Sequence, residues 1–325
     1  MGTNASTEAP TLPRTREEWR KALDALPATP ERIPAFFFGH GSPLLNFPDD
    51  ADSRNAGRMG AALGHAGPRG PLAQFLRDFG PALLSKYKPK GILVFSAHWE
   101  TLGETVVTDY GDENPLHMDY YGFQSEQYKM TFKSRGDSAR SQRAVQLFKE
   151  AGLLARTSHT NEPRGMDGRG YPTAGLDHGV FVPFRFMFGN EIDIPVVEAS
   201  IDGTLSPERN WALGKAVTKL REEGILVLSG GLTVHNLGDL ASFTPASARP
   251  LHLSFNDAVT DAMAIRDPAK RKEAMMALPR HPGFRASQPR EDHFVPVYVA
   301  AGAGEEGDAR VITATYGCQT VAFGL

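Results

Sequence analysis

Two apolar segments nearly repeat each other and set the strongest constraint on the fold. Their sequences are GILVFSA at residues 91–97 and GILVLSGG at residues 224–231. A continuous apolar run of this length, with no polar alternation, is typical of a strand that is buried on both faces. Strands of this kind belong to parallel sheets that helices cover on both sides. The two segments therefore predict the middle of an α/β sheet.

The rest of the chain supplies strands and helices that alternate around these two segments. Further strands are predicted at 33–38, 153–157, 194–201 and 311–316. Helices are predicted at 71–87, 137–151, 207–223, 251–278 with a break near Pro268, and 294–301, and a Gly-rich loop at about 55–70. This alternation predicts an α/β fold with a single domain, in which helices cover both faces of a mainly parallel or mixed central sheet.

The first thirty residues are predicted to be an extension that packs on this domain. We expect residues 1–30 to form a disordered tail plus one helix, because Thr15 and Glu18 have the spacing of a capping box ahead of an amphipathic segment. The start of the chain, Met-Gly with Ser6, matches the N-myristoylation pattern at Gly2. No polybasic segment supplies a second membrane anchor, so we interpret this match as chance.

Composition excludes several classes of function. The 325 residues have a net charge of −3 and no Lys/Arg cluster, which argues against nucleic-acid or anionic-lipid partners. No stretch approaches the roughly 18 apolar residues that span a membrane. A single cysteine, Cys318, excludes an internal disulfide framework and predicts a cytoplasmic location. The oligomeric state is left open.

Histidines follow three predicted strands at their carboxyl ends, which is where ligands bind in α/β sheets. His40 follows the strand that ends in FFFG, His98 follows GILVFSA, and His235 lies a few residues after GILVLSGG. Two more, His178 in GLDHGVFVP and His293 in REDHFVPVYV, lie in segments that could reach the same edge. The glycines on either side of His40 are expected to leave room for a ligand. This pattern predicts one site built from imidazoles.

Such a cluster favours metal chemistry. Neutral imidazole is a common ligand for zinc and for non-haem iron, and catalytic sites keep coordination positions open for water or substrate. Carboxylates lie beside these histidines, and each could be a ligand or an acceptor that orients a neighbouring ring. They are Glu100, Asp177, Glu291 and Asp292.

Six segments, in order, carry a resemblance that covers most of the chain. They are GHGSP, SAHWE, YYGF, GLDHGVFVP, GGLTVHNL and REDHFVPVYVAAGAG, between residues 39 and 304. In these segments the chain resembles the class III extradiol ring-cleavage dioxygenase family, in its 4,5-DOPA dioxygenase branch. The resemblance implies that residues 31–325 form a catalytic domain. It also implies that this domain inserts O2 into a small aromatic substrate, a catechol such as L-DOPA, beside its two hydroxyls.

The resemblance also assigns roles to the five histidines. It implies that His40, His98 and His293 are metal ligands, and that His235 is either a further ligand or an acid/base group. It implies that His178 contacts a substrate hydroxyl. An all-histidine site carries less negative charge than two histidines with a carboxylate, so it suits Zn(II) at least as well as Fe(II). Oxygen chemistry requires the redox-active Fe(II).

Aromatic residues near these motifs are candidates for the wall of a substrate pocket. They are Trp99, Tyr120 and Tyr121, for which ordinary core packing is the alternative. Two other functions stay open at this point. One is a zinc-dependent hydrolase that uses metal-bound water, and the other is a metal-binding interaction protein without catalysis.

Overall fold

A mixed sheet of eight strands organises the computed structural model, which describes residues 12–28, 31–47, 60–123, 125–163 and 172–325. In chain order the strands are Ala35–Gly39 (β1), Gly91–Thr101 (β2), Thr105–Thr108 (β3), Ala155–Ser158 (β4), Glu162–Pro163 (β5), Pro172–Thr173 (β6), Val196–Asp202 (β7), Ile225–Gly231 (β8), Ala309–Thr313 (β9) and Thr320–Phe323 (β10). The spatial order of the sheet is β4-β3-β7-β2-β8-β1-β10-β9, and β5 pairs with β6 separately.

The two repeated apolar segments form neighbouring parallel strands in the middle of this sheet. Strands β2 and β8 pair in parallel from Gly91 opposite Ile225 to Ser96 opposite Gly230. Strands β7 and β1 extend the parallel region on either side. Antiparallel pairs occur further out, where β3 meets β7 and where β10 joins β1 to β9. The prediction of a mainly parallel or mixed sheet is confirmed.

Helices cover both faces of the sheet. They are Arg16–Asp24 (α1), Gly60–Ala66 (α2), Pro71–Tyr87 (α3), Ser138–Glu150 (α4), His178–Phe188 (α5), Pro207–Ala216 (α6), Thr218–Glu222 (α7), Pro250–Ala264 (α8), Pro268–Ala277 (α9), Phe284–Ser287 (α10) and Pro296–Ala303 (α11). Alternate residues of β2 enter two separate apolar cores: Leu93 and Phe95 pack on one face, and Ile92 and Val94 on the other. Among the described helices, none has the length and apolar content needed to cross a bilayer.

Several elements differ from the sequence prediction. Residues 60–66 of the predicted Gly-rich loop form α2, because the segment GAALGHA carries three alanines and a leucine, which favour helix. Residues 55–59 of that loop lie outside the described residues. His178 was expected in a loop but begins α5, whose N-cap is Asp177. Strands β3 and β10 were not predicted, since each has only four residues.

The predicted N-terminal helix is present and packs on the main body. It begins after Thr15, which forms the predicted capping box with Glu18. Its side chains Trp19 and Leu23 are buried in the same apolar core as Phe75 of α3. The predicted disordered tail, with the motif at Gly2, lies outside the described residues for positions 1–11. The domain boundary at residue 30 stays a prediction.

Candidate active site

Three parallel strands bring histidines to one edge of the sheet. His40 directly follows β1, His98 lies near the end of β2, and His235 follows β8 by four residues. Because β2, β8 and β1 are adjacent and parallel, their carboxyl ends meet at the same edge. His178 joins them from the first turn of α5, and His293 from the turn before α11. All five histidines line one cavity of about 430 Å³, a volume typical of small-molecule sites.

The histidines at the bottom of this cavity form a tight cluster. The ring nitrogens of His40, His98 and His293 that could bind an ion lie within 4.8 Å of one another, and all three side chains are buried. Nε2 of His98 lies 3.3 Å from Nε2 of His293. Two imidazoles that bind one ion at about 2.0–2.1 Å place their nitrogens roughly 3.0–3.4 Å apart. The observed spacing therefore suits a shared metal ion.

His40 gives independent support for a metal at this position. It is 1% exposed, and neither of its ring nitrogens has a hydrogen-bond partner among the described residues. Burial lowers the pKa of His40 well below its usual value, and the neighbouring His293 and His98 lower it further. A buried neutral ring without partners is costly, whereas coordination of a cation satisfies one nitrogen directly. The residues present fit a metal ion.

Two carboxylates orient the rings of this cluster. Oδ2 of Asp292 lies 3.1 Å from Nδ1 of His293, and Oδ2 of Asp119 lies 3.3 Å from Nδ1 of His98. The Asp292 contact is a hydrogen bond, and because an ionised carboxylate only accepts such bonds, it favours the tautomer of His293 in which Nδ1 carries the proton. The Asp119 contact acts on His98 through its charge, which also favours a proton on Nδ1. The lone pairs of the two Nε2 atoms are then directed at the shared position between them.

Asp119 also holds His178. Its Oδ1 accepts the backbone N–H of His178 at 2.9 Å and contacts Nδ1 of the same ring at 2.8 Å. Burial would raise the pKa of the Asp119 carboxyl, but charge attraction and hydrogen bonds from His178, with His98, hold that pKa well below its usual value. The carboxylate therefore stays ionised and favours a proton on Nδ1 of His178. The other ring nitrogen, Nε2, is left as the atom that can accept a proton.

His98, Asp119 and His178 form a second group of close ligand atoms. The contact of 2.8 Å between Asp119 and His178 is a hydrogen bond, which explains that group without an ion. Sequence reasoning missed Asp119, although it directly precedes the YYGF segment. A carboxylate in a loop has no distinctive pattern, and its adjacency to Tyr120 was the available signal.

His235 lies beside the cluster rather than within it. Its ring stacks on His293 with a centroid distance of 3.5 Å, and its backbone N–H donates to the carbonyl of Ser287 at 2.8 Å. Burial lowers the pKa of His235 well below its usual value, with a smaller contribution from His293. A neutral imidazole therefore faces the cavity next to the proposed metal position.

Comparison with known proteins identifies the family. Residues 35–323 match the family described as the catalytic LigB subunit of aromatic ring-opening dioxygenase. The chain belongs to this family. It is 37% identical over 311 residues to a 4,5-DOPA dioxygenase extradiol-like protein of Schizosaccharomyces pombe, covering 95% of this chain and 97% of that protein.

A curated relative and a solved structure from Escherichia coli K12 are also similar. The 4,5-DOPA dioxygenase extradiol of this organism is 29% identical and is matched over 84% of this chain and 85% of its own length. A crystal structure of an uncharacterized E. coli protein superposes with a TM-score of 0.62 at 23% identity, over 90% of this chain and all of that chain. The second likeness shows that the fold is shared.

The wall of the cavity that the five histidines line also contains two tyrosines. Tyr120 is buried, with its ring edge-on to His178 at 5.6 Å, and Tyr121 is 63% exposed at the mouth. The structure does not bring Trp99 to the cavity, so its predicted place in the wall is corrected. Trp99 is fully buried and is not among the described lining residues, because successive residues of a strand point to opposite faces and His98 takes the cavity side.

The other carboxylates that the sequence suggested lie outside the three-histidine cluster. Glu100 accepts hydrogen bonds from Arg290, and Glu291 pairs with Arg285. Asp177 caps α5 and accepts a hydrogen bond from Ser96 Oγ at 2.7 Å. Asp292 orients His293, as described above.

Both glycines beside His40 pack closely against the protein itself. The expectation that they leave space for a ligand is corrected for Gly39, whereas Gly41 is in the cavity lining. A Cβ on Gly39 would lie 2.7 Å from the backbone oxygen of Cys318, and one on Gly41 would lie 2.4 Å from Leu45. Gly41 also has a φ of +76°, which disfavours other residues. These glycines therefore let the segment around His40 pack closely against its neighbours.

Proposed function

We propose that the protein is a metal-dependent extradiol dioxygenase that inserts O2 into a catechol. The observation that carries this proposal is the buried cluster of His40, His98 and His293 at the bottom of a cavity that also presents the Asp119–His178 pair. Family membership and the names of the relatives support ring opening as the reaction. The balanced reaction joins one O2 to one catechol and needs no external reductant.

His40, His98 and His293 would hold the metal. A bound Fe(II) would supply the redox chemistry that activation of dioxygen requires. Zn(II) suits the same three nitrogens but has no redox chemistry. The zinc-loaded protein is therefore expected to bind substrate without turning it over.

The remaining groups act on protons and on the substrate ring. A catechol must lose a hydroxyl proton to bind as an anion, and Nε2 of His178 can accept it because Asp119 holds the proton on Nδ1. His235, which is neutral and stacked on His293, can exchange a proton at the other side of the cluster. Tyr120 and Tyr121 contribute aromatic surface to the wall in which the substrate ring would lie.

The zinc-hydrolase hypothesis is less well supported. The relatives described above that carry a functional name are dioxygenases, which favours ring opening over hydrolysis. Their names also make L-DOPA a natural first catechol to test.

Oxygen uptake tests the proposal. Protein reconstituted anaerobically with Fe(II) is mixed with air-saturated catechol or L-DOPA, beside a zinc-loaded control. We expect consumption of one O2 per catechol and the absorbance of a ring-opened product with iron only. Hydrolysis by the zinc form under argon, together with no uptake by the iron form, would replace the proposal with the hydrolase.

A further inference from the structure

The loop that follows β8 and carries His235 is attached to the last residues of helix α10. The backbone N–H of His235 donates to the carbonyl of Ser287 at 2.8 Å. Nδ2 of the next residue, Asn236, donates to the carbonyl of Ala286 at 2.7 Å. The last carbonyls of a helix have no partner within the helix and need donors from elsewhere. Two neighbouring residues of the loop therefore supply donors to two neighbouring carbonyls of α10.

Asn236 uses both ends of its side-chain amide. While Nδ2 donates to Ala286, Oδ1 accepts the backbone N–H of Gly238 at 3.0 Å. This orientation of the amide follows from its partners, because a carbonyl oxygen only accepts and a backbone N–H only donates. The backbone carbonyl of Asn236 also accepts the N–H of Asp239 at 3.0 Å. Asn236 thus closes the turn that follows it and joins that turn to α10.

The far end of this turn has a separate attachment. The carboxylate of Asp239 pairs with Arg249 at 3.2 Å and lies 3.3 Å from Nε2 of the buried His252. Nδ1 of His252 in turn lies 3.0 Å from Oγ of Ser287. Loss of the Asn236 amide should therefore release the end that carries His235, while Asp239 stays in place.

The position of the His235 ring depends on the backbone that these contacts hold. The ring stacks on His293 with a centroid distance of 3.5 Å, and both rings line the cavity. An imidazole exchanges a proton only within hydrogen-bond reach of its partner, so a small displacement is enough to remove it. Asn236 is not among the described lining residues. Its effect on the reaction is therefore expected to pass through His235.

We propose that Asn236 is a positioning residue that holds His235 beside the three-histidine cluster. The hydrogen bond from Nδ2 to Ala286 fixes the backbone next to His235, and the acid/base role of His235 depends on it. The inference rests on the proposed function, because proton exchange at His235 is part of that function. The attachment itself can be measured without turnover.

Amide hydrogen exchange tests the attachment. Asn236→Ala removes both amide contacts, whereas Asn236→Asp keeps Oδ1 and replaces the donor with an oxygen that cannot donate. Exchange in peptides that contain residues 235–239 is measured by mass spectrometry on zinc-loaded protein and corrected for the intrinsic rates of each sequence. We expect exchange about tenfold faster than in the native protein in both variants.

Asn190→Ala is the matched control, because Asn190 is exposed and does not line the cavity. It should exchange at the native rate in residues 235–239. Native exchange in both Asn236 variants would overturn the proposal. Faster exchange in Asn236→Ala alone would also overturn it, because the effect would then belong to the turn at Gly238 rather than to the bond with Ala286.

Kinetics separate positioning from a general loss of structure. With Fe(II), Asn236→Ala and Asn236→Asp should lower kcat for catechol about 10–100-fold. Metal content and the Kd of catechol for the zinc-loaded protein should stay native. In a His235→Gln background, Asn236→Ala should cost no further turnover, because its effect passes through the missing imidazole. A full further loss in that background would overturn the proposal.

Failure of this inference differs from failure of the proposed function. If native protein with Fe(II) opens the ring of catechol and both Asn236 variants match its kcat, this inference alone is overturned. If native protein opens no catechol ring, the proposed function is overturned, and with it the acid/base role of His235.

Discussion

Asp119 links two groups of the site through its two oxygens. Oδ1 contacts His178, which is proposed to take a proton, and Oδ2 contacts His98, which is proposed to bind the metal. Loss of this carboxylate should therefore affect both the tautomer of His178 and the orientation of His98.

Asp119→Asn should lower turnover about 10–100-fold, the usual effect of removing an acceptor that orients a site histidine. Because Asp119 acts partly through His178, its loss should cost less in a His178→Ala background. Steady-state oxygen uptake by the two single variants and the double variant measures this coupling. If the fold-loss of turnover in the double variant equals the product of the two single losses, a shared role of Asp119 and His178 is contradicted.

His40→Ala should abolish metal retention, since it removes the buried ring whose nitrogens have no hydrogen-bond partner among the described residues. His65→Ala is the matched control, because His65 does not line the cavity and its Nε2 is hydrogen-bonded to the carbonyl of Tyr316 at 2.9 Å. Metal content after gel filtration is the measurement. Equal metal in both variants would exclude His40 as a ligand.

His178→Ala should keep the metal and lose most, but not all, of its turnover, because His178 lies outside the three-histidine cluster but lines the same cavity. Metal content and oxygen uptake are measured on the same sample. Full activity in this variant would remove the acid/base role proposed for His178.

At the residue scale, the places of the histidines in the site could be predicted from the sequence better than those of the groups around them. Histidine placement could be inferred because His40, His98 and His235 follow recognisable strands. Asp119 could not, because its partners His98 and His178 are distant in the chain and only the folded structure brings them together. Trp99 was misplaced because its proximity to His98 in the chain hides the opposite directions of their side chains.

At the scale of elements, the close packing of strand ends positions the cluster. The end of β1 lies so near the turn at Cys318 that position 39 has no room for a side chain. The backbone N–H of His40 then donates to the carbonyl of Gly231 at the end of β8, at 3.2 Å. His40 is thus held by neighbours on two sides.

Gly39→Ala should lower the free energy of unfolding by about 1–3 kcal/mol, the usual cost of overpacking a rigid site. Gly64→Ala is the control, because a Cβ there meets nothing within 4 Å in helix α2; it should be neutral or stabilising by up to about 1 kcal/mol. Urea unfolding of both variants gives the comparison. Equal free energies of unfolding for Gly39→Ala and Gly64→Ala would contradict this prediction, because the end of β1 would then be able to shift and accommodate the added Cβ.

Element prediction succeeded where the pattern was long and failed where it was short. The segments of β2, β8 and α3 carry enough apolar residues to define their type. Strand β10 has four residues and depends on pairing with β1 and β9, which are distant in sequence. Helix α5 was hidden because its apolar run with an internal Pro183 lacks a helical repeat, and the cap at Asp177 is its clearest signal.

At the scale of the molecule, a partly buried carboxylate connects the N-terminal helix to the main body. Asp78 of α3 accepts hydrogen bonds from Arg16, Trp19 and Arg20 of α1 at 2.7–3.1 Å. Burial alone would raise the pKa of Asp78, but these three donors outweigh it and hold the pKa well below its usual value. The folded state therefore favours the ionised carboxylate more than the unfolded state does.

Because of this pKa shift, the free energy of unfolding depends on pH in the acidic range. The contribution of Asp78 is complete above the unfolded pKa, about 4, and is lost as the pH falls from there through the lower folded pKa. Asp78→Asn should lower the free energy of unfolding by about 1–2 kcal/mol at pH 7. The difference in this free energy between the variant and the native protein should become smaller as the pH falls toward 3. Urea unfolding across this range is the measurement, with the exposed Asp112→Asn as control. A constant difference at all pH values would contradict the assignment.

The three-histidine cluster is proposed to be the place where dioxygen is added to a catechol. The most direct test supplies oxygen gas labelled with oxygen-18 to the Fe(II)-loaded protein and catechol, and analyses the product by mass spectrometry. We expect a ring-opened product that carries oxygen-18, and no such product from the zinc-loaded protein or from His40→Ala. An unopened ring, or a product whose added oxygen comes only from water, would contradict it.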